Sequence, residues 1–599
     1  MNAQWPPKFF LRPAAGVLIL YTAVLVITSG DIGFDADDWW IFSKAYWFPY
    51  PESVWVYARE LLRPVEGIYW LSMFELVGFN RIAFHIASLL LWVGAAISLG
   101  ACLWKAFPRD RQFVVTSVFL FFFLPMASSL TFIIFTDNAR LSIMLFWISA
   151  YYFLKWAEGT LEWKGLFLPV LIYVISFLTY ETSSLLILGV PFLAFSVRVN
   201  KGESPLEKIF LIKIMGGVTA ALVTSLAIRF TLLNGGAVAH RHILPPLDLV
   251  VWYVALLPHY LAAPFITRPD AAAAVVGVLV AVLFALCLYV SKPFEKQAKD
   301  YQPRSLFGLD SESYKIILGL VFFFLGMLPY QIAGYGGAIP KISETALAMY
   351  GFLPEGDTSW FNFNWASRIY SSASCGLAII IAATSLGIKA RGFQHLSVGI
   401  VIALVGFMAA FHFGLSKDWQ EAAVIRNELI HSLLQEAPDV RPHTNFVFLD
   451  FETYHKRAAV IRRWAGLREL IRMLYDDRTL GAWYLYPYAK LPPNKEFQRA
   501  IVFEGGFVSR GMALNAPAPH DTLLLLKRNG SRLVLLDKIT PGDGSVHTGI
   551  SWRGWTKLHC NKKRIIHSRG LFLSQRYHCQ HKKWIAGLIS TFKLQDLDP

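Results

Sequence analysis

Long apolar runs alternate with short charged breaks from the amino terminus to about residue 415. The runs are Pro13–Ser29, Ile82–Leu103, Phe113–Phe135, Leu141–Trp156, Leu166–Thr179, Ser183–Val197, Phe210–Phe230, Ala272–Val290, Ile316–Ile332, Ser367–Ile388 and Leu396–Leu415. A helix crosses a bilayer with ~20 predominantly apolar residues, fewer where flanking side chains snorkel. The pattern predicts a polytopic α-helical membrane protein with about eleven transmembrane helices. One more apolar stretch, Leu247–Ile266, is broken by Pro258, His259 and Pro264 and reads as an interfacial or re-entrant helix.

Basic residues recur at alternate breaks: Lys8 and Arg12, then Lys105, Arg109 and Arg111, Lys155 and Lys164, Arg198 and Lys201, and Lys389 and Arg391. The positive-inside bias puts these in the cytoplasm, and the first loop, residues 30–80, outside. An odd number of spans then carries the C-terminal region outside as well. The first run lacks an A-x-A-like cleavage site, so it reads as a retained span. Beyond Lys417 the pattern changes to a soluble α/β mixture. Asn445–Asp450 predicts a buried strand, Lys456–Leu474 a helix, and Asp521–Lys527 with Arg532–Leu536 a hairpin about Asn529-Gly530. The expected domains are therefore 1–416 in the membrane and 417–599 as an extracytoplasmic α/β domain.

Composition agrees. Of 599 residues 55% are hydrophobic and 16% charged, against about a quarter charged in soluble domains. The net charge of +15 comes largely from beyond Lys417 and coincides with no nucleic-acid-binding module, so nucleic acid is not an expected partner. There is no P-loop or dinucleotide fingerprint. Cys102, Cys287 and Cys375 fall in apolar runs and read as buried hydrophobes. Cys560 and Cys579 lie in a basic tail with His559, His567, His578 and His581. A disulfide, a zinc site and a basic membrane-surface patch all suit that tail, the first and third more economically.

The densest candidate chemistry is in Gly30–Glu66. Asp31, Asp35, Asp37 and Asp38 precede Trp39, Trp40, Trp47 and Trp55, and Arg59, Arg63 and Glu66 close the stretch. Clustered carboxylates raise one another's pKa, which makes one a candidate proton acceptor. The rings suit a sugar face or the headgroup zone, and an interfacial loop with no chemistry is the plain alternative. The drawn topology gathers Asp37, Asp38, Arg63, His85, Glu181, His259 and Arg368 on one face. Charges at membrane depth usually face a cavity or a partner. For Glu181 the alternative is a hairpin tip in water, for His85 a satisfied structural histidine, and for Arg368 simple snorkelling.

These residues resemble the GT-C superfamily of membrane glycosyltransferases, which includes protein O-mannosyltransferases, aminoarabinose transferases of lipid A and oligosaccharyltransferases. The likeness covers roughly the first 415 residues in order and topology. It rests on F-D-A-D-D-W at Phe34–Trp39, R-P at Arg63-Pro64, G-F-N-R-I-A-F-H at Gly78–His85 and L-T-Y-E at Leu178–Glu181. H-Y-L-A-A-P-F at His259–Phe265 and S-R-I-Y-S-S-A-S-C-G at Ser367–Gly376 complete it. The last element reads R-I-Y where the family has R-Y, and the tail lacks the W-W-D-Y-G of oligosaccharyltransferases.

The resemblance implies transfer of a sugar from a polyprenyl phosphate to the hydroxyl of a glycan, lipid or protein at the outer face of the cell's inner membrane. Asp37 or Asp38, the first favoured by the likeness, would be the general base, and Arg63 or Arg368 would meet the departing phosphate. His85, Glu181, His259 and Trp39 join the implied substrate site. No cofactor is required, although the oligosaccharyltransferase likeness allows a divalent metal, Mg or Mn, at the carboxylates. Two other classes compete: a transporter or flippase of a lipid-linked substrate, and a membrane-anchored receptor or scaffold. A transporter would call for polar groups at mid-membrane and repeated halves, and the sequence shows no repeat.

Overall fold

The structure is a computed structural model that describes most residues between 8 and 535. The longer stretches outside the description are 233–264, 292–308, 333–370, 486–498, 511–522 and 536–599. His259, Arg368, Cys560 and Cys579 lie in these stretches, as does most of the Leu247–Ile266 segment.

The described chain is mostly helical with a small sheet. In order come α1 (Lys8–Ser29), α2 (Ala36–Trp47), α3 (Glu52–Leu61), α4 (Pro64–Val77), α5 (Arg81–Ala106), α6 (Arg111–Phe123), α7 (Asp137–Glu158) and α8 (Phe167–Thr179). A 3-10 helix, Glu181–Gly189, leads into α9 (Val190–Asn200), α10 (Lys208–Leu232), α11 (Ala271–Ser291), α12 (Ser311–Ile332), α13 (Ser374–Ala390) and α14 (Gln394–Glu436). Six helical stretches among the described residues are long and apolar enough to cross a membrane: Arg81–Ala106, Glu181–Asn200, Lys208–Arg229, Ala271–Ser291, Ser311–Pro329 and His395–Glu436. Four shorter apolar helices accompany them. On α11, Val275, Val278, Leu279, Val282 and Leu286 are all exposed, a pattern water does not favour and lipid does.

Two predicted runs change form for local reasons. The Phe113–Phe135 run makes a helix only as far as Phe123. Leu124 is extended (φ −57°, ψ 128°) because Pro125 disfavours helical backbone in the residue before it. The Ser183–Val197 run opens as a 3-10 helix nine residues long, where runs beyond about four are uncommon.

The chain divides into two compact units. The first comprises 1–30, 54–69 and 82–417, and the second 31–53, 70–81 and 418–599. In the first unit α12 and α13 cross closely on glycines. A Cβ on Gly319 would lie 2.8 Å from the Gly376 carbonyl oxygen, and one on Gly326 2.6 Å from the Ala373 nitrogen.

The second unit holds the C-terminal strands and the acidic segment together. Its main sheet is built from β1 (Asn445–Leu449), β4 (Gly481–Leu485), β7 (Leu523–Asn529) and β8 (Arg532–Leu535) in the order β4-β1-β7-β8, while β5 (Arg499–Phe503) and β6 (Gly506–Arg510) form a separate antiparallel pair. β1 is parallel to both β4 and β7, and β7 pairs antiparallel with β8, Asn529 opposite Arg532. A strand parallel on both sides is covered on both faces, and Phe446, Val447 and Phe448 are buried in succession. The helix expected at Lys456–Leu474 begins later. A small hairpin, β2 (Tyr454–His455) with β3 (Ala458–Ala459), occupies its first part, and α15 spans Trp464–Tyr475. This helix supplies the β1-to-β4 crossover and buries Leu467, Leu470 and Ile471.

Candidate functional site

Within the first unit, a cluster of charges forms around Arg63. The R-P pair makes its local geometry. Pro64 occupies the first position of α4, where its missing N–H is no loss, and the Arg63 carbonyl accepts the first helical bond from Gly67 N at 3.1 Å. Arg63 thus stands just outside the helix with its side chain free to reach across.

It reaches Glu181. Nε and Nη2 of Arg63 donate to the two Glu181 oxygens at 2.9 and 2.7 Å, a bidentate pair that fixes both groups. The L-T-Y-E motif prepares this contact. α8 stops at Thr179, Tyr180 is extended (φ −162°, ψ 138°), and Glu181 begins the 3-10 helix. The Tyr180 ring packs on the Arg63 guanidinium at 4.2 Å. Glu181 is therefore no hairpin tip in water. Arg229, in the last turn of α10, lies 3.5 Å from the same carboxylate and 5.6 Å from the Phe177 ring.

Behind Arg63, Glu66 is fully buried. One carboxylate oxygen accepts from Tyr57 Oη and Asn138 Nδ2, both at 2.7 Å, and the other faces Arg63 at 3.5 Å. Burial pushes its pKa up, against the pull of Arg63 and of the hydrogen bonds from Tyr57 and Asn138. Two guanidinium groups, those of Arg63 and Arg229, therefore meet at the Glu181 carboxylate, with Glu66 as a second, buried partner of Arg63. Next to Asn138, Asp137 pairs with Arg140, both completely buried, and accepts from Tyr69 Oη at 2.7 Å.

Hydroxyls line the elements beyond Glu181. Ser142 Oγ donates to the Tyr180 carbonyl at 2.8 Å and lies 2.7 Å from Ser183 Oγ. Thr182 Oγ1 meets Ser372 Oγ at 2.7 Å, which brings the S-S-A-S-C-G end of the late motif beside the L-T-Y-E element.

The other sequence candidates fall elsewhere. His85 is buried one turn into α5. Asp37 and Asp38 stand in the first turn of α2 in the second unit, where the helix dipole favours acids. Asp38 is buried, and the Asp37 side chain lies outside the described residues. Trp39, a candidate for stacking on the sugar or lipid or for belt packing, is a buried ring. It is 2% exposed, edge-on to Phe34 at 5.5 Å, and packs with Phe42 and Phe79 because an indole this apolar fills the space between them.

Sequence reasoning missed Tyr57, Tyr69, Asn138, Arg229 and the Asp137–Arg140 pair as members of the cluster. The available signal was D-N-A-R at the head of an apolar helix and an arginine at the end of another, charges costly at such depth without partners. Among the described residues no group of three or more His, Cys, Asp or Glu could hold a metal ion.

No protein-family model matches this chain, and no curated protein does.

Proposed function

We propose that this chain is a membrane glycosyltransferase with a GT-C-like fold of about eleven membrane helices and an extracytoplasmic α/β domain. It moves a sugar from a polyprenyl-phosphate donor to the hydroxyl of a glycan, lipid or protein at the outer face of the inner membrane. The acceptor oxygen bonds to the anomeric carbon as the bond from that carbon to the phosphate oxygen breaks. The electron pair leaves with the polyprenyl phosphate, and the acceptor's proton goes to Asp37 or Asp38. Arg63 or Arg368 meets the charge that grows on the leaving phosphate.

The observation that carries this reading is the Arg63–Glu181–Arg229 arrangement. Two arginines converge on Glu181, with Glu66 as the second carboxylate at Arg63, and paired guanidinium groups of this kind are what a lipid-borne phosphate needs. The joining of 31–53 with 418–599 in one unit supports the odd span count, since segments packed together lie on one side of a bilayer.

Asp37→Asn and Asp38→Asn test the assignment. Sugar release from the total polyprenyl-phosphate-linked sugar fraction of the host membrane falls by about 10²–10⁴ in one of them while membrane insertion persists. Full release in both sinks the proton-acceptor role.

A further inference from the structure

The acid-bearing helix is held at both ends by the C-terminal part of its own unit. At the start, Gly33 lies against the guanidinium of Arg426, so close that a Cβ on Gly33 would overlap it. Arg426 is itself buried, and its Nη1 donates to the Val460 carbonyl at 3.3 Å. At the far end, Arg478 Nη2 donates to the carbonyl of Trp47, the last residue of α2, at 2.8 Å. Its guanidinium also covers the rings of Trp47 at 4.7 Å and Phe48 at 5.0 Å. Tyr46 Oη donates to Asp476 at 3.1 Å, and α15 packs along α2 between these grips.

The charges are arranged to suit α2. Asp37 and Asp38 are in its first turn, where the dipole favours anions, and Arg478 caps the last turn, where it favours a cation. A helix of twelve residues is marginal alone and takes its stability from what it packs on. Here that support is α15 together with the turn that carries Asp476 and Arg478.

We propose that the C-terminal domain is a positioning element for α2, with Arg478 the positioning residue that fixes the helix bearing Asp37 and Asp38. The proposal rests on the reading that one of those acids accepts a proton, and it assigns the soluble domain a part in that step. Arg478 touches no reacting atom and acts only through the C-terminus of α2.

Two readouts on the full-length protein in nanodiscs test it. In Arg478→Ala, amides in the last turn of α2 exchange with deuterium about tenfold faster, as loss of a charge-assisted hydrogen bond implies. Turnover of the same lipid-linked sugar fraction falls with the KM for that fraction unchanged. Arg478→Lys restores part of both, because the charge returns without the planar fork. Tyr46→Phe, which keeps the ring and loses only the hydroxyl, gives a smaller change of the same kind and serves if Arg478→Ala fails to fold.

Unaltered exchange in α2 overturns the proposal, and so does faster exchange with unaltered turnover. Full turnover in both Asp37→Asn and Asp38→Asn removes the acid's role, and the exchange of α2 then decides alone whether the domain holds this helix.

Discussion

The charge cluster around Arg63 and the grips on α2 use the same kinds of side chain to different effect. In the first, Glu66, Asp137 and Arg140 are fully buried; Glu66 and Asp137 are answered by Asn138 and Tyr69 from distant parts of the chain, and Arg140 by Asp137 one turn earlier on α7. In the second, Asp476 and Arg478 are exposed, and their contacts are with a backbone carbonyl, two rings and one phenol. A buried charge loses water altogether, so removing its partner leaves a large uncompensated penalty. An exposed charge falls back on solvent and forfeits less. The first arrangement specifies a unique interior, and the second sets the pose of one helix.

The largest effect expected is at Asp137–Arg140. Arg140→Met leaves a buried carboxylate without its cation and costs about 3–5 kcal/mol, read as a shift in the SDS-induced unfolding midpoint in mixed micelles. The double variant Asp137→Asn with Arg140→Met recovers most of that loss, because neutral groups of similar size carry no desolvation debt. A double variant as unstable as the single one would show that the pair contributes more than mutual neutralisation.

Glu66 comes next. Glu66→Ala orphans Tyr57 Oη and Asn138 Nδ2, at about 1–3 kcal/mol for each buried donor. Glu66→Gln keeps an accepting oxygen for both and costs visibly less in the same titration. Equal losses in the two variants would mean that the charge facing Arg63, and not the hydrogen bonds, is what the protein uses.

These clusters were only partly legible in the chain. The apolar spacing marked most of the long helices, and NFVFL announced its buried strand, because burial on one or all faces writes a period or a run into the sequence. R-P and L-T-Y-E were visible as motifs, and their geometry follows from Pro64 starting a helix and Tyr180 breaking one. The partners were not visible. Nothing local in Asn138 or Tyr57 says that they meet at Glu66, since they stand 72 and 9 residues away along the chain. The grip of Arg478 on Trp47 spans 431 residues, and no periodicity encodes it. Helix starts suffered too, as the short hairpin before α15 carries the same residue types as the helix that follows.

The grip at Gly33 is intermediate, for it joins an uncharged backbone to a buried guanidinium. Gly33→Ala forces Arg426 aside and strains its bond to Val460, an overpacking cost of about 1–3 kcal/mol. Gly33→Ala combined with Arg426→Ala relieves the overlap, so a cost in the pair no greater than in Arg426→Ala alone would confirm that the two meet as described. Gly78, by contrast, is needed for its backbone: at φ 58° it ends α4, with its N–H on the Phe74 carbonyl at 2.8 Å.

The smallest effect tests the exposed side of the comparison through pH. Although Asp476 is exposed as a residue, partial desolvation of its carboxyl raises the pKa to about 6, the hydrogen bond from Tyr46 opposing, the charge of Asp477 adding and Arg478 opposing. A carboxyl raised in the folded state binds its proton more tightly there than when unfolded, so its contribution to stability is complete below about pH 4. That contribution is lost as the pH climbs to about 6, and no further loss follows. Solvent reaches this residue, and screening keeps the change below about 1 kcal/mol. Deuterium exchange of α2 corrected for intrinsic rate should rise slightly between pH 4.5 and 6.5 in the native protein. Asp476→Asn should flatten that rise, since an amide keeps an oxygen for Tyr46 and carries no titrating proton. A slope that survives the substitution would place the pH sensitivity of α2 outside Asp476.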